Sequence, residues 1–386
     1  MATLPTREVT LPVQPTNPRP RTLVTADGEH LVSHAGSLLL VETADTVGLT
    51  NQLGRRANLG RRAGGHDRGV VLRDLLVMLA DGGDGFGDLA ALRDQPELFG
   101  QVASTSTAWR VVAEEVAGDP RGVAALWSAL ARARETAWAL GAAPPGPLVI
   151  DIDATLVTAH SDKQGAAPTF KQGFGFHPLV CYLDRGDGTG EALSGNLRPG
   201  NAGSNTAADH LDVLAMALLA LPKAARTGPI LVRADSAGAA HPFVEELHRR
   251  GLAFSIGFPM EPAVKQAVLA APADGWLPAR DQDDHDRPGA WVCELANLPC
   301  HGFAANDAWL TLVLCAQTLV CWTQALCLEG ELEIAEPKTL RYRLWHTAGR
   351  LVRHGRRLIL CLQRTWPWTQ ELVAAFGRLQ ALPARC

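Results

Sequence analysis

The chain has 386 residues, 47% hydrophobic and 20% charged, with eight cysteines spread thinly. This composition excludes wholesale disorder and a disulfide scaffold, and the length allows about two or three domains of ~150 residues. The net charge of −4 argues against a nucleic-acid partner only as an average: from Lys338 to Cys386 ten Lys/Arg meet a single acid, Glu371, giving +9 there and −13 elsewhere. Arginines outnumber lysines 31 to five, and a guanidinium is suited to bidentate phosphate contact.

The opening MATLPTREVTLPVQPTNPRP holds no apolar run of signal-peptide type. Cytoplasmic residence with reduced thiols is therefore expected. Residues 1–30, rich in Pro and Thr, read as an irregular leader. Residues 31–146 read as an N-terminal helical region. Its helices are signalled by Val70-Val71-Leu72 with Leu75–Leu79, by Leu89–Leu92, and by the Ala-rich Val123–Leu140. The cluster Gly141-Ala-Ala-Pro-Pro-Gly146 breaks the pattern and marks a boundary.

Beyond it the character changes to strands. Pro147–Asp153, Leu179–Leu183 and Ala192–Leu197 are short apolar runs, followed by a helix over Thr206–Leu221 that Asn205 can cap. A strand at Pro229–Asp235, a helix at His241–Arg250 and a strand at Leu252–Phe258 complete the order β-β-β-α-β-α-β, which indicates a mixed α/β sheet. Residues 147–296 form this core and residues 297–386 a C-terminal helical basic region. Trp309–Leu328 is twenty residues without a charge. It is long enough to span a bilayer, but Thr311, Gln317, Thr318, Thr323 and Gln324 are costly in lipid, so a buried helix is expected and no membrane partner. Leu340–Gln363 reads as an amphipathic basic helix with Arg350, Arg353, Arg356 and Arg357 on one face, suited to a DNA backbone. Trp366-Pro-Trp368 interrupts it before a last helix at Glu371–Leu382.

Strand alternation puts Asp151 and Asp153 on one face and Ile150 and Ile152 on the other. Asp235 ends the strand Ile230–Asp235 in the same way. Carboxylates at the carboxyl ends of sheet strands lie where ligands collect, and two or three together suit a hard dication such as Mg²⁺ or Mn²⁺. Strand-end aspartates also merely start turns, so the pair of strand ends carries more weight than either alone. His160-Ser-Asp-Lys163 and Phe170-Lys171-Gln-Gly-Phe-Gly-Phe176 hold two of the five lysines and read as a phosphate- and base-binding loop or as a plain hairpin loop. Gly195-Asn-Leu-Arg198 with Asn201 leads into a helix N-terminus that binds anions or is simply capped. His285 among Asp283, Asp284 and Asp286 reads as a solvated loop, and Cys293, Cys300 and His301 lack zinc-site spacing. The first basic stretch is Arg55-Arg56 with Arg61-Arg62.

The blocks LVIDIDATLVTAHSDKQGAAPTFKQGFGFHPLVCYLD (148–184), SGNLRPGNAGSNTAADH (194–210), ILVRADSAG (230–238), NLPCHGFAANDAW (297–309) and RYRLWHTAGRLVRHGRRLILCLQRTWPW (341–368) resemble transposases of the IS1380 family, within the DDE superfamily. The resemblance spans about residues 20–385. It implies an RNase H-like core and metal-dependent cleavage and transfer of double-stranded DNA at terminal inverted repeats and target DNA, with Mg²⁺ or Mn²⁺. A homodimeric synaptic complex and nucleoid-associated localisation also follow from it. By resemblance, Asp153 and Asp235 match the first two acids of the Asp-Asp-Glu triad, with Asp151 a neighbouring metal candidate. Lys163, Lys171 and Arg198 would position phosphates. One departure stands out. Gly289–Leu295 runs through Ala296 straight into Asn297–Phe303, where the family has several tens of residues bearing the catalytic Glu. Glu294 matches the upstream strand, and Glu329 lies too far along. The expected function is thus a transposase impaired by internal deletion, or a non-catalytic DNA-binding remnant. A phosphohydrolase of DxDxT type, suggested by Asp151-Ile-Asp153-Ala-Thr155, lacks its partner lysine motif.

Overall fold

The computed structural model describes residues 31–56, 65–159, 163–203, 206–257, 303–354 and 357–383. The leader, Arg61-Arg62, His160, Asn205, the His285 cluster, Cys293, Glu294, Cys300, His301, the 295–297 junction and Arg356 lie outside these residues.

A two-residue strand β1 (Leu31–Val32) precedes helices α1 (Leu38–Thr46), α2 (Leu49–Arg56), α3 (Arg68–Ala80) and α4 (Gly122–Ala137). Asp67 caps α3 by accepting from the Gly69 and Val70 amides at 2.9 and 3.3 Å, which satisfies donors a helix start leaves free. A Cβ on Gly69 would lie 2.4 Å from the Thr50 carbonyl oxygen, so the α2–α3 crossing needs glycine there. The expected helix at Leu89–Leu92 is a 3₁₀ turn, Phe86–Leu89, running into the four-residue Ala90–Arg93. The predicted boundary follows α4: Gly141 takes φ +117° and Gly146 φ +79°.

The next strands are β2 (Leu148–Ala154), β3 (Val157–Thr158), β4 (Ala167–Pro168), β5 (Phe174–Phe176), β6 (Leu179–Asp184) and β7 (Gly190–Asn196). Then come α5 (Ala207–Ala220), β8 (Ile230–Ala234), α6 (His241–Arg249) and β9 (Ala253–Ile256). Five strands form one sheet in the order β7-β6-β2-β8-β9. β6 runs antiparallel to both neighbours, and β2, β8 and β9 are mutually parallel. This is the mixed α/β, RNase H-like sheet the sequence predicts. Ile150 and Ile152 point to a face covered by α5 and α6, where they pack with Val213, Leu214, Ala217, Phe243 and Leu247.

The opposite face is covered by α7 (Phe303–Cys327), whose core is continuous with that of α1–α4. The uncharged stretch expected at Trp309–Leu328 is this helix, and most of it is buried inside the chain. Its polar residues are satisfied there: Thr311, Thr318 and Thr323 each donate to the carbonyl four residues back, and Gln324 donates to the carbonyls of Leu332, Glu333 and Ala335. A Cβ on Gly195 of β7 would sit 2.8 Å from Leu314 Cδ1, so α7 lies against the strand only because that position carries no side chain.

The sheet and both helical layers meet at Glu191 on β7, which is fully buried. Its carboxylate accepts from Arg134 Nε of α4 at 2.8 Å, Arg185 Nη1 at 3.0 Å, Trp138 Nε1 at 3.0 Å and Trp322 Nε1 of α7 at 3.0 Å. Arg134, also fully buried, spends its remaining donors on the Ala220 and Ala192 carbonyls.

One expected element is different. Leu340–Gln363 is not a basic helix: after a helical turn over Arg341–Trp345 it forms a hairpin of β10 (Gly349–His354) and β11 (Arg357–Leu362), and β1 adds to β10 as a third antiparallel strand. Leu351-Val352 and Leu358–Leu362 flank Gly355-Arg356, a hairpin signal that the 3.6-residue spacing of the arginines obscures. The last helix, α8 (Thr369–Ala381), is as expected.

Replacing Glu191 by Ala would leave two guanidiniums and two indole N–H groups without their buried acceptor. The expected loss is about 3–5 kcal/mol of unfolding free energy, measured by urea denaturation, whereas Glu135→Ala on the exposed flank of α4 should change it by about 1 kcal/mol or less.

Candidate active site at the ends of two parallel strands

The register Ile152↔Ala234 sets Asp153, in the next position of β2, beside Asp235, the first residue past β8. Parallel neighbours lie about 4.8 Å apart, so the two carboxyl groups share one edge of the sheet. Both residues are exposed. Asp235 stops β8 by capping the turn Ser236–Gly238, accepting from the Ala237 amide at 2.9 Å. Asp153 accepts from the Ala154 amide at 2.7 Å. The Asp153 carboxyl is held above the usual carboxylate range, first by desolvation in the crevice and then by the charges of Asp235 and Asp151. Among the described residues neither Asp153 nor Asp235 forms an ion pair with an Arg or Lys. Two neighbouring carboxylates that repel each other are a donor set that a hard dication would satisfy.

Asp151 differs, although it lies on the same face. Arg233, its register partner on β8, donates Nε and Nη2 to Asp151 at 2.5 and 2.6 Å and Nη2 also to Asp184 at 2.6 Å. Those two carboxylates push the guanidinium pKa up. Asp151 is thus engaged across the sheet, and Asp153 and Asp235 are the pair available to a metal.

Beside the pair stands His177, buried at the start of β6, with Nδ1 3.3 Å from the Ala202 carbonyl oxygen. Burial lowers its pKa, and Asp153 and Asp235 both pull the other way. Its ring lies 5.5 Å from that of Phe170, which is 68% exposed and has Lys171 Nζ 5.6 Å from its centroid. The loop carrying Lys163, Phe170 and Lys171 belongs to the small sheet β3-β5-β4. Lys171 is exposed and Lys163 half-buried. Arg198 is placed otherwise than a surface phosphate contact would be. It is buried, donating from Nε to the His177 carbonyl at 2.9 Å and from Nη1 to the Gly203 carbonyl and Asp209, both at 3.2 Å. It positions the His177 backbone. Sequence reading overlooked His177; its only signal was the His-Pro pair that opens β6.

A family model described as the transposase DDE domain group 1 matches residues 14–294 and 292–384. The chain belongs to this family of DDE transposases. Comparison with curated protein sequences gave no match. Among solved structures, the chain is similar to the piggyBac transposase in a cryo-EM synaptic complex with hairpin DNA, at 11% identity and TM-score 0.30, over 62% of this chain and 54% of that one.

DDE transposases are in general dependent on a divalent metal, and the exposed carboxylate pair of this chain fits such an ion. Its C-terminal arginines are arranged differently from the predicted helical face. Arg350 is exposed on β10, and Arg353 and Arg357 stand in the hairpin in register with Leu358 and His354. The backbone of Arg350, Arg353 and Arg357 is thus in strand pairing and not in the predicted helix.

The raised Asp153 pKa has a testable sign. The folded chain holds this proton above the pH at which an unfolded aspartate releases it. Stability therefore falls as pH rises from the ordinary aspartate value, 3.8, through the folded pKa. Asp153→Asn should raise Tm at neutral pH, with the gain vanishing below the ordinary aspartate pKa. In NMR titrations Asp235→Asn should lower the Asp153 pKa.

Proposed function

We propose that the chain is an insertion-sequence transposase whose core recognises and positions element-end DNA at Asp153 and Asp235, and whose strand cleavage and transfer are crippled by loss of the third acid. The observation that carries the reading is the unpaired carboxylate pair at adjacent parallel strand ends, in a chain of the DDE family. Mg²⁺ or Mn²⁺ bound there would stabilise the attacking and leaving oxygens of an in-line displacement at phosphorus. Asp153 and Asp235 would supply its ligands. Lys171, Lys163 and exposed Phe170 would hold the phosphate backbone and stack on a base at the same edge. The arginines of the hairpin would add backbone contacts.

The impairment rests on the Leu295–Asn297 junction. The resemblance places a Glu-bearing helix there, and the family model matches in two pieces, 14–294 and 292–384, that overlap just before it. Losing one carboxylate removes a ligand and a negative charge, and such sites tolerate errors of only about 0.5 Å, so a Glu elsewhere in the chain does not replace it. Assignment to the IS1380 family, a homodimeric synaptic complex and nucleoid-associated residence belong to this same reading. The second form of it, a non-catalytic binder that competes with an intact transposase for the same ends, follows when cleavage is lost completely.

Gel-shift and cleavage assays on duplexes carrying the inverted repeats that flank this gene test the proposal. Expected are a shifted complex and no cleavage, or only trace cleavage, with Mg²⁺ or Mn²⁺; excision at the rate of a full-length family member would overturn the deletion. Lys171→Ala should flatten the slope of log binding constant against log salt by about 0.9, the value for one phosphate contact on duplex DNA.

A further inference from the structure

Away from the carboxylate edge, three side chains from distant parts of the chain converge. His34 follows β1, Asp81 ends α3, and His346 precedes β10. One ligand atom from each lies within 4.8 Å of the other two. His34 Nδ1 is 2.6 Å from Asp81 Oδ2, His346 Nε2 is 3.3 Å from Asp81 Oδ1, and the imidazole centroids are 4.5 Å apart. Ser37 Oγ donates to Asp81 Oδ1 at 2.8 Å. The Asp81 side chain is 5% exposed, and the two imidazoles are 26% and 44% exposed.

The backbone holds this arrangement in place. His34 adopts a left-handed conformation, φ 53° and ψ 30°, which a non-glycine residue takes only where its surroundings impose it. Ala35 donates its amide to the Thr347 carbonyl at 2.9 Å. A Cβ on Gly36 would lie 1.8 Å from the Leu344 carbonyl oxygen. The segment bearing His34 is thereby pressed onto the segment bearing His346. A cavity of about 460 Å³ opens beside them and is lined by His34, Asp81 and His346 together with Gly82, Asp84 and Asp88, so an ion has a route in and water has room for a fourth position.

We infer that His34, Asp81 and His346 form a binding site for a first-row transition dication of the Zn²⁺ type. Two imidazoles and one carboxylate are borderline ligands that favour such ions over Mg²⁺. Zn–N and Zn–O bonds of about 2.0–2.2 Å put tetrahedral ligand atoms about 3.3 Å apart, so the 2.6 Å His34–Asp81 contact has to open and the ligand atoms, all within 4.8 Å of one another, have to close on one centre. Binding would need the ligating nitrogen of each imidazole free of its proton, with the one N–H of the neutral ring carried on the other nitrogen. The ion would tie the segment after β1 to the end of α3 and to the C-terminal hairpin. Its nitrogen ligands distinguish it from the all-oxygen pair Asp153 and Asp235, and it stands independently of the transposition reading.

The test uses the full chain with Zn²⁺ and Co²⁺ alone as probes. Calorimetry should show one Zn²⁺ equivalent that survives in the Asp153→Asn/Asp235→Asn double variant. Zn²⁺ should raise Tm in both proteins, and Co²⁺ should give the visible absorption of a tetrahedral N/O site. His346→Gln changes a half-exposed residue, and His34→Asn keeps a side chain that tolerates left-handed backbone. Each should weaken Zn²⁺ binding at least tenfold while the metal-free variant remains folded by circular dichroism. Unchanged Zn²⁺ affinity in both variants, or no Zn²⁺ uptake by the wild-type chain, would overturn the site.

Discussion

The buried Glu191 carboxylate is the constraint on which the rest of the structure depends. A charge removed from water must be neutralised and its lone pairs filled, or it costs several kcal/mol. Here the donors come from α4, from the turn after it, from the β6–β7 connection and from α7. Those elements are separated by up to 188 positions, from Arg134 to Trp322, yet they must arrive at one carboxylate together. This fixes α7 and the N-terminal helices on a single face of the sheet. The other face is sealed by α5 and α6, and the carboxyl ends of β2 and β8 keep Asp153 and Asp235 exposed.

Two aspartates of one strand show how neighbours decide chemistry. Asp151 and Asp153 share a face and a residue type. Arg233 stands across from Asp151 and neutralises it, with Asp184 completing a three-residue ladder. Beyond the register of that arginine, Asp153 lies beside Asp235, and among the described residues no arginine or lysine pairs with it. Desolvation first, and then the charges of Asp235 and Asp151, raise its pKa, which is the electrostatic state of a site that a cation would relieve. His177 and Arg198 complete the surroundings: Arg198 anchors the backbone of His177, and His177 supports Phe170 at the rim.

The two ends of the described chain are also joined. β1 pairs with β10, Gly36 packs on Leu344, and the His34–Asp81–His346 cluster lies at the same seam. The positively charged C-terminal stretch is therefore attached to the N-terminal helical layer, whose core continues through α7 and α8. The C-terminal hairpin and the N-terminal helices thus pack against each other.

By itself the sequence determined the strands and helices of the core in their order, and with them the strand-end aspartates. Apolar runs of Val, Ile and Leu bounded by Gly and Pro carry that information locally, and period-two alternation already separates Asp153 from Ile152. It determined too that the Trp309–Cys327 part of α7 carries no charge. Only the tertiary structure decided that Asp151 is paired and Asp153 is not, because Arg233 lies 82 positions away and meets Asp151 only through parallel register. Likewise, Arg198 looked like a phosphate contact until its burial was known. The basic segment at 349–362 was misread because arginines at i+3 and i+7 fit a helix, whereas pairing with β1, over 300 residues earlier in the chain, stabilises a hairpin. Local patterns report which face of an element is apolar. Which charged groups end up facing each other depends on contacts between distant residues, and those exist only once the chain has folded.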